Sequence, residues 1–131
     1  MSEHPHVALL RRAYMAFAEP AADGLPDGFA EDVVWHVPGR SPIAGNYRGI
    51  HEIRALLDRL RDLSDGTAFR EVHDVLANDH HGVALVRSGA IRNGERFFTV
   101  QVDVFPFRDG VVTEFWTNSM DQHAEDAFWS R

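Results

Sequence analysis

A single carboxylate, Asp103, sits in the middle of an apolar run, Val100-Gln101-Val102-Asp103-Val104-Phe105. Burying an ionised acid there without a partner is costly. The acid must therefore face water, meet a neutralising group such as Arg87, Arg92 or a residue of a second subunit, or hold a raised pKa for a chemical task. Side chains alternate along a strand, so Thr99, Gln101, Asp103 and Phe105 share one face and form a polar stripe among apolar neighbours. Tyr14 adds a phenol on the apolar side of a helical segment, either as core or as a hydroxyl aimed at a ligand. His36 has the acidity of a general base near neutral pH. Alternation sets it opposite Trp35 and Val37, so it faces away from whatever they line, unless a bulge near Pro38 reverses the order. Asp121 can serve as the N-cap of a last helix. Trp116 and Asn118 share one face of their strand, while Phe115, Thr117 and Ser119 share the other. Which face looks inward is open.

Other chemistries find no support. Among eight histidines, His4 and His6 fall in an N-terminal tail that reads as mobile, and His80-His81 fall in a turn. His51, His73 and His123 are scattered, and no helical His-x-x-x-His or Glu-x-x-His spacing occurs, so no metal site is expected. Phosphate-binding glycine signatures and a Gly-x-Ser-x-Gly elbow are absent, and so is cysteine. The expectation is acid–base chemistry by side chains alone, without a cofactor. A net charge of −7, from 13 Lys+Arg against 20 Asp+Glu, argues against nucleic-acid and anionic-membrane partners. The N-terminus lacks a basic, apolar leader, and no run approaches the ~18–20 apolar residues of a membrane span, so a cytoplasmic location is expected.

These residues need elements to hold them. Val7, Leu10, Tyr14 and Phe17 recur at helical spacing over 5–18, with Ala8, Leu9, Ala13 and Met15 widening the stripe and Pro20 and Gly24 ending it. Residues 32–38 read as a strand stopped by Pro38-Gly39, and Asn46-Tyr47-Arg48 as a short edge strand. A second helix over 50–63 carries Ile50, Ile53, Leu56, Leu57, Leu60 and Leu63 on one stripe, with Arg54 mostly on the other face. Strands follow over 67–77 and 83–92. A long hairpin over 95–118 then turns at Asp109-Gly110, a pair that tolerates positive φ, as does Asn93-Gly94 before it. Asp121 can cap a final short helix docked by Ala127, Phe128 and Trp129. Helices early and strands late imply an α+β fold in a single domain over 1–131: a curved antiparallel sheet wrapped over the N-terminal helices, with an apolar cavity.

The segments Phe29-Ala30-Glu31-Asp32-Val33-Val34-Trp35-His36-Val37-Pro38-Gly39, Tyr47-Arg48-Gly49, Val102-Asp103-Val104-Phe105 through Asp109-Gly110, and Glu114-Phe115-Trp116 carry a resemblance to the SnoaL-like branch of the NTF2-like superfamily, which includes ketosteroid isomerases and polyketide cyclases. The resemblance implies an NTF2-like cone. By its isomerase pattern, Tyr14 and Asp103 match the two hydrogen-bond donors of an oxyanion hole, while the base position falls on Val37, which cannot take a proton. Related cyclases and epoxide hydrolases imply an acid near Asp121. The hydrolase pattern also wants an arginine where Gln101 stands.

The expected function is thus a cofactor-free enzyme moving protons on a small hydrophobic, possibly polycyclic molecule by isomerisation, cyclisation or water addition. Tyr14, Asp103, His36 and Asp121 are the candidate catalytic residues. Phe17, Trp35, Val37, Gln101, Phe105, Trp116 and Asn118 are the candidate substrate contacts. A non-catalytic binding or interaction module is the alternative, and Val37 favours it. The apolar outer residues Val100, Val102 and Val104 predict a homodimer packed through the sheet.

Overall fold

The computed structural model describes residues 3–19 and 24–131. Helix α1 (Pro5–Ala18) starts at His4, whose ring nitrogen accepts from the His6 amide at 3.1 Å, with Pro5 in the first turn where no amide hydrogen is needed. Its buried residues are Val7, Leu10 and Ala13, whereas Met15 is 73% exposed and lies off the expected stripe. Pro20, expected to end the helix, falls outside the described residues. The carbonyls at the end of α1 are held by Arg54, whose guanidinium donates to Ala16, Phe17 and Glu19 at 3.0–3.2 Å. A cation there satisfies orphan carbonyls and opposes the negative end of the helix dipole. Arg54 is therefore a clasp between helices and not a solvent-facing residue.

Strand β1 (Phe29–Val37) turns back into the edge strand β2 (Gly45–Arg48). Helix α2 (Gly49–Leu63) then carries the chain to the far edge, with Ile53 and Leu56 buried beneath it. From there β3 (Phe69–Ala77), β4 (His81–Arg92), β5 (Glu95–Arg108) and β6 (Val111–Ser119) meander back, and α3 (Gln122–Trp129) closes the chain. The β4–β5 and β5–β6 turns use left-handed Asn93-Gly94 and Asp109-Gly110, as their composition requires.

The sheet order is β2-β1-β6-β5-β4-β3. One pair departs from the expected antiparallel sheet: β1 runs parallel to β6. The departure follows from α2, which moves the chain from one edge to the other so that the returning meander ends alongside β1. The α+β cone is otherwise as expected, with helices on the concave face of one curved sheet. No helix among the described residues is long and apolar enough to cross a membrane.

Close approach of α1 to the sheet depends on Gly82 in β4. A Cβ there would come within 2.4 Å of Leu10 Cδ1 and 3.2 Å of the Phe107 ring. Gly82→Ala should therefore cost about 1–3 kcal/mol in urea denaturation. Combined with Leu10→Ala, which removes the clashing methyl groups, the loss should be smaller than the sum of the two single changes. Simple additivity would show that the contact does not set the packing.

Candidate functional site

Alternation sorts the sheet residues into two layers, and the register fixes which is which. Thr117, Asp103 and Ala84 lie in one transverse row, with Ser119, Gln101 and Val86 in the next. These rows face the helices. The intervening rows, His36-Trp116-Val104-Val83 and Asn118-Val102-Leu85, lie on the opposite, outer face. Between the inner rows and the helices is a cavity of about 270 Å³. Phe17, Phe29, Trp35, Val37, Phe105 and Phe115 wall one part of it, and Ile53, Leu56, Leu57 and Leu60 of α2 another. Its polar groups include Tyr14, Arg70, Gln101, Asp103, Thr117 and Glu125.

Asp103 is fully buried and is held from three sides. The Tyr14 hydroxyl donates to Oδ2. Arg70 Nη2 donates to both oxygens, at 2.8 and 2.9 Å. The Thr117 hydroxyl donates to Oδ1 at 2.7 Å and itself accepts from the Trp35 indole at 2.8 Å. Every partner is a donor, so Asp103 acts here as an acceptor. This corrects the expectation that it donates a proton to a substrate oxyanion. The Tyr14 hydrogen is committed to the carboxylate as well. Burial, followed by the neighbouring Asp103 charge, pushes the Tyr14 pKa well above the ordinary value, and Arg70 opposes the shift only in part.

Arg70 is the partner that the chain reading missed. It lies across β4 from Asp103, and the small side chains of Ala84 and Ser88 leave room for its reach. Its guanidinium sits 5.3 Å from the centre of the Trp35 ring. Burial works against its charge, but Asp103, with Tyr14 and Glu125, more than offsets this and holds its pKa above the usual value. Nε donates to Gln101 Oε1 at 3.1 Å. Nη1 has no hydrogen-bond partner among the described residues, and the side chain remains 19% exposed within the cavity lining. One edge of the guanidinium is thus fixed by protein, and the other offers a charged donor.

From Gln101 the network continues to Glu125, whose Oε1 accepts from the Gln101 amide. Glu125 is 8% exposed, and its Oε2 is buried without a hydrogen-bond partner. Burial raises its pKa. The Ser119 hydroxyl, Gln101 and Arg70 work the other way. Glu125 also escaped the chain reading, although a signal existed. Phe128 and Trp129 follow it by three and four residues, so the helical face that docks them must bury it too. Ala127, expected on that face, is exposed.

Four expected site residues lie elsewhere. His36 is on the outer face, hydrogen-bonded to Asn46 at 2.8 Å and Glu114 at 3.0 Å and stacked on Trp116. Trp116 and Asn118 share that face because Phe115, Thr117 and Ser119 take the inner one. Asp121 caps α3, accepting from the Ala124 amide at 3.1 Å, and is exposed. Arg87 and Arg92, considered as partners of Asp103, are engaged elsewhere, Arg87 with Glu71 and Arg92 with the carbonyls of Leu63, Phe128 and Arg131. His4 and His6 are tied down, His4 to Asp79 at 2.6 Å and His6 by stacking on Phe107 at 3.7 Å. Among the described residues no cluster of three or more His, Asp or Glu side chains could hold a metal ion.

The family model for the SnoaL-like domain matches residues 10–115, which include the larger part of α1, the sheet up to the middle of β6, and Asp103. The chain belongs to the SnoaL-like family. An uncharacterised protein of Mycobacterium tuberculosis is 30% identical over 131 residues, covering 99% of this chain and 100% of its own. The solved structure of Bal32a, from a soil-derived mobile gene cassette, is 33% identical, with a TM-score of 0.82 over 93% of this chain and 94% of that one. In fold alone, the SnoaL-like chain also resembles IdmH, a candidate polyketide cyclase of Streptomyces antibioticus. That match is 16% identical, with a TM-score of 0.68 over 95% of this chain and 99% of that one.

Removing the charge of Asp103 strands a buried arginine. Asp103→Asn is expected to cost about 3–5 kcal/mol in chemical denaturation, and adding Arg70→Met should recover part of that loss. A cost below about 1 kcal/mol for Asp103→Asn would show that the pair is not the buried anchor described here.

Proposed function

We propose that this SnoaL-like protein is a cytoplasmic, cofactor-free enzyme that moves protons on a small hydrophobic molecule bearing a carbonyl oxygen, with isomerisation, cyclisation and water addition as the reaction classes. The observation that carries this reading is the half-used guanidinium of Arg70 in a predominantly apolar cavity. Asp103 and Gln101 lock one edge of the group and leave Nη1 to meet an oxygen that gains negative charge during reaction. Fixed charges in a water-poor site stabilise such an oxygen strongly, because they do not have to reorganise. Tyr14 and Thr117 support the reading as residues that hold Asp103, and so Arg70, in place. The volume of about 270 Å³ is small among ligand pockets and fits a ligand of about one or two fused rings. Phe17, Trp35, Val37 and Phe105 are its flat and apolar contacts. That a fold relative is a candidate polyketide cyclase supports the ring-bearing substrate class.

A second reading, a non-catalytic small-molecule-binding module, is favoured by Val37. It lines the cavity at the position where the isomerase pattern would place its base.

A series of substituted naphthols whose hydroxyl acidity spans neutrality tests the role of Arg70 at one fixed pH. Affinity should rise with the fraction of naphtholate, the bound anion should be visible in absorbance, and Arg70→Met should flatten the trend. A flat trend in the wild-type protein would reject stabilisation of an oxygen anion.

The untouched outer face completes the proposal. Val100 is 41% exposed there, beside half-buried Val102, Val104 and Trp116, and a second copy of the chain would cover it. Light scattering should give a dimer mass, lost in Val102→Glu. A wild-type mass that stays monomeric at all concentrations would refute the dimer.

A further inference from the structure

Helices and strands wall the cavity almost everywhere. Apart from Ala68, the lining residues that lie outside them are Pro38, Ser41 and Ile43. All three belong to the span between β1 and β2, which has no regular structure. Its sequence, Gly39-Arg40-Ser41-Pro42-Ile43-Ala44-Gly45, is bracketed by two exposed glycines. Gly39 has φ +102° and Gly45 φ +150°, conformations that other residues rarely adopt. Ser41 and Ile43 are buried against the cavity, whereas Arg40 and Pro42 face water.

Hydrogen bonds at its rim hold this span down. The Arg40 amide donates to Asp126 Oδ2 of α3 at 3.1 Å, and Gln122 Nε2 donates to the Pro38 carbonyl at 3.4 Å. Arg59 of α2 donates to the Pro42 carbonyl at 3.2 Å, and the Tyr47 hydroxyl to the Ile43 carbonyl at 2.6 Å. Inside the span, the Ala44 amide donates to the Ser41 carbonyl at 3.0 Å and the Ile43 amide to the Ser41 hydroxyl at 3.4 Å. Residues 41–44 are thus tied into one turn that moves as a body. Bonds at solvent-facing groups exchange for bonds to water at small net cost. A segment with few buried side chains and such bonds opens more easily than the elements around it. The opposite side of the seam is firmer. Phe128 and Trp129 of α3 are buried, Phe128 stacks on Phe97 at 5.3 Å, and Arg92 donates to the Phe128 carbonyl at 2.8 Å. When the seam parts, the span moves and α3 stays.

We propose that residues 39–45 are a gate, hinged at Gly39 and Gly45, that swings away from α2 and α3 to admit a small apolar molecule and closes over it with Ile43 as its plug. The inference rests on the reading of the cavity as a small-molecule site and is independent of the chemistry done there. Gly39 marks the closest approach across the seam. A Cβ on it would overlap Asp126 Oδ1 and Gln122 Nε2 and stand 3.0 Å from Asp126 Cγ. The Cβ atoms of residues 39 and 126 would then lie within about 4.5 Å, which a disulfide spans. The chain has no cysteine of its own, so Gly39→Cys with Asp126→Cys can form one bond only.

The test is stopped-flow binding of 2-naphthol to that double variant, oxidised and reduced. Oxidation should slow association and dissociation together by about 10-fold or more, with the dissociation constant held within about twofold, and reduction should restore both rates. In the otherwise native chain, Asp126→Ala should raise both rates together by about 3–10-fold, the share of one hydrogen bond. Equal rates in the oxidised and reduced protein, with 2-naphthol bound in both, would overturn the gate and leave the cavity reading standing. Failure of 2-naphthol to bind the wild-type protein would overturn both. Should the double variant not fold or not oxidise, amide hydrogen exchange in the wild-type protein decides. Exchange of the Arg40, Ile43 and Ala44 amides as one group, faster than the Glu125 amide of α3 and slowed by 2-naphthol, supports the gate; protection equal to that of Glu125 overturns it.

Discussion

An aspartate with no exposed surface, fixed in the middle of a strand, has to be neutralised where it stands. The interior of this protein is arranged around that requirement. Arg70 supplies the opposing charge from β3, Tyr14 a hydroxyl from α1, and Thr117 a second hydroxyl from β6. Three elements far apart in the chain therefore converge on one carboxylate. A buried ion pair of this kind adds little net stability over an apolar pair of the same shape, yet breaking it is expensive. Its value lies in geometry: it holds the guanidinium at one angle in an apolar cavity that would otherwise leave a long side chain free to move.

Commitment at one end of the site creates availability at the other. Asp103 absorbs the hydrogens of Tyr14 and Thr117 and one edge of Arg70, so none of these is free for a ligand. Within this network, among the described residues, Arg70 Nη1 and Glu125 Oε2 have no hydrogen-bond partner, and Gln101 links the two side chains. Where the isomerase pattern has two donors, this cavity presents the guanidinium of Arg70 instead.

Much of this arrangement was legible from the chain. The helical stripes of α1 and α2, the Asn-Gly and Asp-Gly turns, and the polar face of Gln101 and Asp103 all follow from local periodicity and turn chemistry. Alternation also set His36 opposite Trp35 and Val37. What escaped depended on register. Arg70 sits 33 residues from Asp103 and meets it only because β3, β4 and β5 align Arg70 with Ser88 and Ala84 with Asp103. The phase of β3 is further hidden by an irregularity between Val72 and Asp74. The inward face of β6 was undecidable for a related reason, since both faces carry aromatic residues and only its pairing with β5 chooses Phe115 over Trp116. Glu125 was visible in principle, but an acid in the first turns of a helix also suits the helix dipole at the surface, so its charge alone does not mark it as buried.

The account stands or falls on where one hydrogen resides. Neutron diffraction from a deuterated crystal would locate it directly. The expected result is a deuterium on the Tyr14 oxygen, a full complement on Arg70, and neither oxygen of Asp103 carrying one. A deuterium bonded to Asp103 would make it an acid donor in place of the anchor of Arg70, and would contradict the account.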